Sequence, residues 1–153
     1  MIIFRKPRTQ LPLLKKKING TRVIPSEKIK YLGIYLDPFL NGSAHCAELR
    51  TKLQRAAGMI AKTRHYLKDN PKQLISLYYS IFACHILYGC QIWGLNNNKH
   101  TNKIQTIQNR AIRLIAFSDS TPHLHTIDHY KNLKILKLCD LVTLKKLLFA
   151  HDY

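Results

Sequence analysis

Between Gln73 and Asn98 the sequence carries no charged residue, and Leu74–Trp93 within that window is a 20-mer of mostly apolar type. No other feature narrows the available folds so far. A segment this long and apolar belongs either in the middle of a helical bundle or in a bilayer, which takes about 20 residues to cross. Ser76, Ser80, His85 and Gln91 interrupt it, and Lys72 is the lone base close on its N-terminal side, which favours the bundle. The start is well marked: Asn70 can cap, Pro71 suits the first helical position, and Gln73 stands where a capping box needs it. From there Leu74, Leu77, Tyr78, Ile81, His85, Tyr88 and Ile92 form one stripe. Ser76, Ser80, Ala83, Leu87 and Cys90 form an opposite face of mostly small residues that a second helix can approach closely. The pattern predicts one central helix.

Around it the chain reads as β first and α afterwards. Lys17 to Ile24 places Asn19-Gly20 between β-type residues, a hairpin signal because a type I′ turn needs positive φ at both central positions. Lys28 to Leu36 alternates as one strand, apolar or small on both faces apart from Lys30, and Asp37-Pro38 ends it. After the Asn41-Gly42-Ser43 turn, Leu49, Leu53, Ala56, Ile60 and Leu67 mark an amphipathic helix to about Lys68. The Asn-rich residues 96–98 make a loop. A further helix spans about Asn102 to Phe117 with Ile104, Ile107, Ala111, Leu114 and Ile115 inward, and a break follows at Ser118–Pro122. A short helix at Thr126–Asn132 and a last one at Leu138–Ala150 complete the chain, the last burying Leu138, Leu141, Val142, Leu144, Leu147 and Leu148. The fold class is α+β, mostly α: an N-terminal hairpin and strand, then a bundle of four to five helices.

Charge decides the partner class. Net charge is +17 over 153 residues, and such an excess destabilises a lone compact state unless a polyanion is near. Residues 1–68 hold 15 Lys/Arg against three acids, giving +12, and the remainder gives +5. On the first long helix Arg50, Arg55, Lys62, Arg64 and Lys68 lie outside the apolar stripe. On the later helix Lys103, Thr106, Arg110 and Arg113 follow one flank at i, i+3, i+7 and i+10. Either row can track phosphates, with the threonine hydroxyl as a neutral donor. Lys15-Lys16-Lys17, Arg22, Lys28 and Lys30 add a second basic surface, with lysine protection of a sheet edge as the lesser alternative.

Catalytic chemistry is poorly supplied. The eight acids are scattered singly, with no D-D, D-x-D or E-x-x-E pair for a two-metal site. His125 and His129 stand at i, i+4 beside His123, but with no Cys pair nearby a solvated helix start explains them better than zinc. His85 reads as a hydrogen-bonded core histidine. Cys46, Cys84, Cys90 and Cys139 are too sparse for a disulfide scaffold, and no signal peptide is visible, which together point to reduced thiols and an intracellular, nuclear or cytoplasmic location. Asn19-Gly20-Thr21 and Asn41-Gly42-Ser43 match the glycosylation pattern but are better read as turns.

Five short motifs, in order, resemble the reverse transcriptases of non-LTR retrotransposons (LINE, jockey/CR1-like). They are Ile2-Ile3-Phe4, Ile18-Asn19-Gly20, and Ile29-Lys30-Tyr31-Leu32-Gly33-Ile34-Tyr35-Leu36-Asp37, then Leu77-Tyr78-Tyr79-Ser80 through Leu87-Tyr88-Gly89 and Trp93-Gly94, then Ile107 to Arg113 with Leu133 to Leu138. The resemblance implies the end of the palm at residues 1–40, a thumb-like bundle at 41–118 and post-thumb helices at 119–153. Within the first, Tyr31, Leu32, Gly33 and Ile34 correspond to the primer grip, a hairpin that holds the growing 3′ end. A complete enzyme of this kind carries its metal-binding aspartates in a palm element that would lie upstream of Met1, and Asp37 and Asp69 match neither. The implied protein is therefore a non-catalytic C-terminal fragment, without cofactor because magnesium belongs to the missing palm, whose partners are the RNA/DNA template–primer and the absent polymerase domains. A small membrane protein anchored at 74–93 and a helical protein-interaction module are the alternatives.

Overall fold

The computed structural model describes residues 1–9, 17–22, 24–94, 99–118 and 126–152. The expectations placed on Lys15, Lys16, the 96–98 loop, His123 and His125 lie outside them. Two small antiparallel hairpins come first. Strands β1 (Lys17–Ile18) and β2 (Thr21–Arg22) are joined by Asn19 and Gly20 at φ 48° and 75°, the type I′ geometry expected. The single strand expected over Lys28–Leu36 is instead a second hairpin, β3 (Ile29–Tyr31) and β4 (Ile34–Leu36), paired Tyr31 to Ile34 and Ile29 to Leu36. Its loop is Leu32-Gly33 at φ 44° and 79°. Alternation alone could not show this, because leucine seldom adopts positive φ. Nor is the hairpin covered on both faces: β3 is exposed throughout, and only Ile34 of β4 is buried.

Seven helices follow among the described residues: α1 (Ser43–Thr63), α2 (Pro71–Tyr78), α3 (Cys84–Leu87), α4 (Cys90–Trp93), α5 (Lys99–Ile115), α6 (Thr126–Asn132) and α7 (Leu138–His151). The most extensive packing joins α1 to α5. Leu49, Leu53, Ala56 and Ile60 of α1 meet Ile104, Ala111, Ile112 and Ile115 of α5 in one core that also takes Leu74, Tyr78, Phe82 and Ile86.

The charge-free window is not one regular helix. A π-helical turn, Tyr79–Ala83, joins α2 to α3, and the chain then breaks where Tyr88 is extended (ψ 110°) and Gly89 is left-handed (φ 60°). Leu74, Tyr78, Phe82, Ile86 and Cys90 are buried and recur every four, with Ala83 and Trp93 buried beside the series. On an α-helix such a series drifts about 40° per step, and the wider π turn takes up that drift. The expected stripe therefore holds from Leu74 to Ile81, with Leu74 and Tyr78 buried and Leu77 and Ile81 packed part-buried on the core; beyond it Tyr88 and Ile92 are exposed and His85 is half-buried. The small-residue face is not a packing face at its start either. Ser76 and Ser80 are exposed and return their hydroxyls to the carbonyls of Lys72 (3.0 Å) and Ser76 (2.8 Å), a habit that bends helices. Asn70 precedes α2 without a side-chain cap bond, so the capping box does not form. Among the described residues no helix is long and apolar enough to cross a membrane, and the break at Tyr88-Gly89 divides the 74–93 segment that the membrane alternative needs as one helix.

At the C-terminal end only Leu138 and Val142 of α7 are buried, while Leu144, Leu147 and Leu148 are exposed. A six-residue inward stripe was expected there. Leu141 packs against the core part-buried, and the three that fail, Leu144, Leu147 and Leu148, do so because the bundle covers little of this helix.

Candidate nucleic-acid interface

Arg50, Gln54 and Ala57 lie at i, i+4 and i+7 on α1, and Lys103, Thr106, Ile107, Arg110 and Arg113 run along the flank of α5 that faces them. Together they line an open groove of about 400 Å³ between the two helices. Ala57 and Ile107 give it an apolar floor, four cations rim it with the Gln54 amide and with Thr106, whose hydroxyl donates to the Asn102 carbonyl (3.0 Å), and no acid is among the lining residues. Such a trough suits a row of phosphates, since cations supply charge and amide or hydroxyl groups supply directed hydrogen bonds. Arg113 is partly committed, donating to Thr126 Oγ1 at 3.4 Å and so tying α5 to α6.

The other basic residues of α1 separate from this set. Arg55 and Lys62 follow Arg50 by 5 and 12 positions, about 140° and 120° round the helix at 100° per residue, and both are exposed away from the groove. Arg64 turns toward the bundle. Its guanidinium reaches the Leu114 carbonyl (3.5 Å) and lies 5.3 Å from the centre of the Phe117 ring, where it closes the end of α5. Periodicity had marked all of these as off-core, but only packing against α5 shows which share a trough. Gln54 carries no charge, so only the packing of α1 on α5 places it in the trough.

The β3–β4 hairpin stands at the N-terminal end of α1. Lys28 pairs with Glu48 of α1 (3.3 Å), and Lys28 and Lys30 both approach the Tyr35 ring. At its tip Tyr31 and Leu32 are 64% and 73% exposed, whereas Ile34 is buried. The Leu87-Tyr88-Gly89…Trp93-Gly94 stretch holds that tip. Tyr88 donates its hydroxyl to the Leu32 carbonyl at 2.6 Å, and Trp93 Nε1 donates to the Tyr88 carbonyl at 2.9 Å. A Cβ at Gly89 would stand 2.5 Å from Ile34 Cδ1, and one at Gly42, just before α1, 2.6 Å from the Trp93 carbonyl oxygen. Glycine lets both backbones come that close.

His45, not His85, is the buried histidine. Its Nδ1 accepts from the Tyr35 amide (3.4 Å), linking α1 to β4. Burial holds its pKa below the usual 6.5, Lys52 lowers it further, and Glu48 opposes both. The folded state therefore keeps the ring neutral while the unfolded state takes up a proton near pH 6.5. Stability is fully present above that pH and is lost as pH falls toward the folded pKa, by at most about 1.4 kcal/mol per pH unit. Melting curves of the native chain and His45→Gln between pH 7.5 and 5 should differ accordingly, the variant showing the flatter dependence. Parallel curves would exclude His45 as the titrating group.

Among the described residues no three His, Cys, Asp or Glu side chains converge as a metal set would.

Comparison with known proteins gives this geometry a context. The chain is 35% identical over 127 residues to the RNA-directed DNA polymerase from mobile element jockey of Drosophila melanogaster, which spans 80% of this chain and 13% of that protein. The chain is related to the RNA-directed DNA polymerases of non-LTR retrotransposons. A probable RNA-directed DNA polymerase from transposon X-element of the same fly is 41% identical over 91 residues, 57% of this chain and 10% of that protein. The jockey polymerase of Drosophila funebris is 29% identical over 127 residues, again 80% of this chain and 13% of that protein. This chain thus spans about a tenth of the length of the retrotransposon polymerases it matches. No family model matches the sequence, and no solved structure does.

Proposed function

We propose that the chain is a non-catalytic C-terminal part of a retrotransposon RNA-directed DNA polymerase that retains backbone binding to an RNA/DNA template–primer. The groove between α1 and α5 carries this reading: Arg50, Lys103, Arg110 and Arg113, with Gln54 and Thr106, around a trough lined by no acid. In this reading α1 and α5 belong to a thumb that follows one strand by its phosphates. The β3–β4 hairpin closes the end of the palm and presents Tyr31 and Leu32 to the growing 3′ end. Ile34 supports the hairpin from beneath, and Lys28 and Lys30 flank it. The palm, with its magnesium, and the fingers supply catalysis from outside these residues. The apolar side chains exposed on the hairpins and the N-terminal segment, Phe4, Ile24 and Ile29 among them, are the surface such a palm would cover.

Binding of the full chain to an RNA–DNA duplex across a salt series tests this. Four phosphate contacts give a slope of log K against log salt of about −3.6, at about 0.9 per contact. No binding at low salt, or an affinity indifferent to salt, sinks the proposal. The exposed Leu144, Leu147 and Leu148 of α7 favour a second reading, a helical protein-interaction module, which would survive that result.

A further inference from the structure

We infer that Tyr88 is a positioning residue that fixes what the β3–β4 tip presents to a 3′ end; the inference rests on the proposed role of that hairpin. The tip is a two-residue loop in which Leu32 holds φ 44°, a conformation that leucine does not favour. Something outside the loop must hold it. The hydroxyl of Tyr88 donates to the Leu32 carbonyl at 2.6 Å, 56 residues along the chain. The same ring lies against Gly33, where a Cβ would meet Tyr88 Cε1 at 3.2 Å and the hydroxyl at 3.3 Å. One side chain therefore orients both loop residues and leaves the side chains of Tyr31 and Leu32 outward.

Tyr88 is itself fixed from behind. It sits at the helix break, its carbonyl accepts from Trp93 Nε1 (2.9 Å), and Gly89 after it is left-handed with Ile34 packed against its Cα. Trp93 in turn is buried, with its ring centre 5.5 Å from that of His45 on α1. The hairpin tip is thereby registered to the bundle that carries the basic groove, through one phenol and one indole. This gives a reason for interrupting the helix after Tyr88: the turn at Gly89 brings Trp93 back onto the Tyr88 carbonyl and leaves Gly89 open to Ile34.

The test compares the full chain with Tyr88→Phe on two RNA–DNA duplexes of equal length, one with a recessed DNA 3′ end and one blunt. The native chain should prefer the recessed end. Tyr88→Phe should reduce that preference about fivefold, the worth of a net hydrogen bond, while the salt slope on the blunt duplex, which reads the groove, stays unchanged. Amide exchange at Leu32 and Gly33 in the free variant should quicken. A preference retained by Tyr88→Phe overturns the inference and leaves the proposed function standing, as does a preference lost together with the salt slope, which would make Tyr88 a general structural prop. A native chain without end preference overturns the proposed role of the hairpin itself, and the inference with it.

Discussion

Reversing two groove charges, Arg50→Glu together with Arg110→Glu, is expected to weaken binding to an RNA–DNA duplex about 100-fold at 0.1 M salt and to flatten the salt slope by about 1.8. The magnitude follows from counterion release. Each phosphate contact contributes about 0.9 to the slope, so at 0.1 M each is worth about one decade of affinity. Arg50 and Arg110 come from the two helices that form the groove, so the double variant removes one cation from each wall and leaves Lys103 and Arg113. A second pair makes the result specific. Arg55→Glu with Lys62→Glu changes net charge by the same amount on a different face of α1 and should leave the slope within about 0.5 of native. Equal losses from both pairs would mean that binding reads net charge alone and that the groove is not the interface. Isotherms at four salt concentrations separate the cases.

The reach of the sequence is clearest along the window from Gln73 to Asn98. Its lack of charge correctly places it at the centre of a bundle, because burying so much apolar surface is the dominant favourable term whatever the local geometry. Its internal geometry was hidden. A π turn and a left-handed glycine leave no mark in a periodicity that assumes 3.6 residues per turn, so the expected stripe departs from the observed one after Ile81. The Asn19-Gly20 hairpin was legible because both residues tolerate positive φ, whereas Leu32-Gly33 was not: the leucine is held there by Tyr88, a contact 56 residues away. The site divides in the same manner. Basic positions can be read from sequence, but sorting Arg50 from Arg55, Lys62 and Arg64 requires knowing which face of α1 meets α5. The resemblance to reverse transcriptases marks Tyr88, Gly89 and Trp93 as a motif, and the fold brings them against the β3–β4 tip.

A larger stability effect is expected at a residue that periodicity misses altogether. Gln108 lies on the inward side of α5 and is almost wholly buried, a costly place for an amide unless every polar atom is partnered. Its Nε2 donates to Tyr78 Oη (3.1 Å) and to the Leu136 carbonyl (3.0 Å), while its Oε1 accepts from the Leu138 amide (3.0 Å) and from Gln105 Nε2 (3.0 Å). Gln105 extends the network to Asn109 and to the Tyr130 hydroxyl. Burial pushes the Tyr78 phenol up to about 12 against the smaller opposing effect of its bond to Gln108, so it stays a protonated, neutral member. The amide thus latches the α6–α7 connection onto α5 and α2 through the Leu136 carbonyl and the Leu138 amide. Gln108→Met keeps the volume and removes the partners, stranding the Leu136 carbonyl and the Tyr78 hydroxyl at about 1–3 kcal/mol each. The Leu138 amide is spared because Gln105 Oε1 also accepts from it (3.0 Å). A loss of about 2–5 kcal/mol should lower Tm by roughly 5–15 °C in a chain of this size. Arg110→Gln, two positions on and exposed, should change stability by no more than about 0.5 kcal/mol. If Gln108→Met melts with the native chain, the amide is not what holds α7 in place. Because the groove lies on the opposite flank of α5, the variant should lose protection first in α6 and α7 while keeping its salt slope, so amide exchange and nucleic-acid binding would report separately on the two sides of one helix.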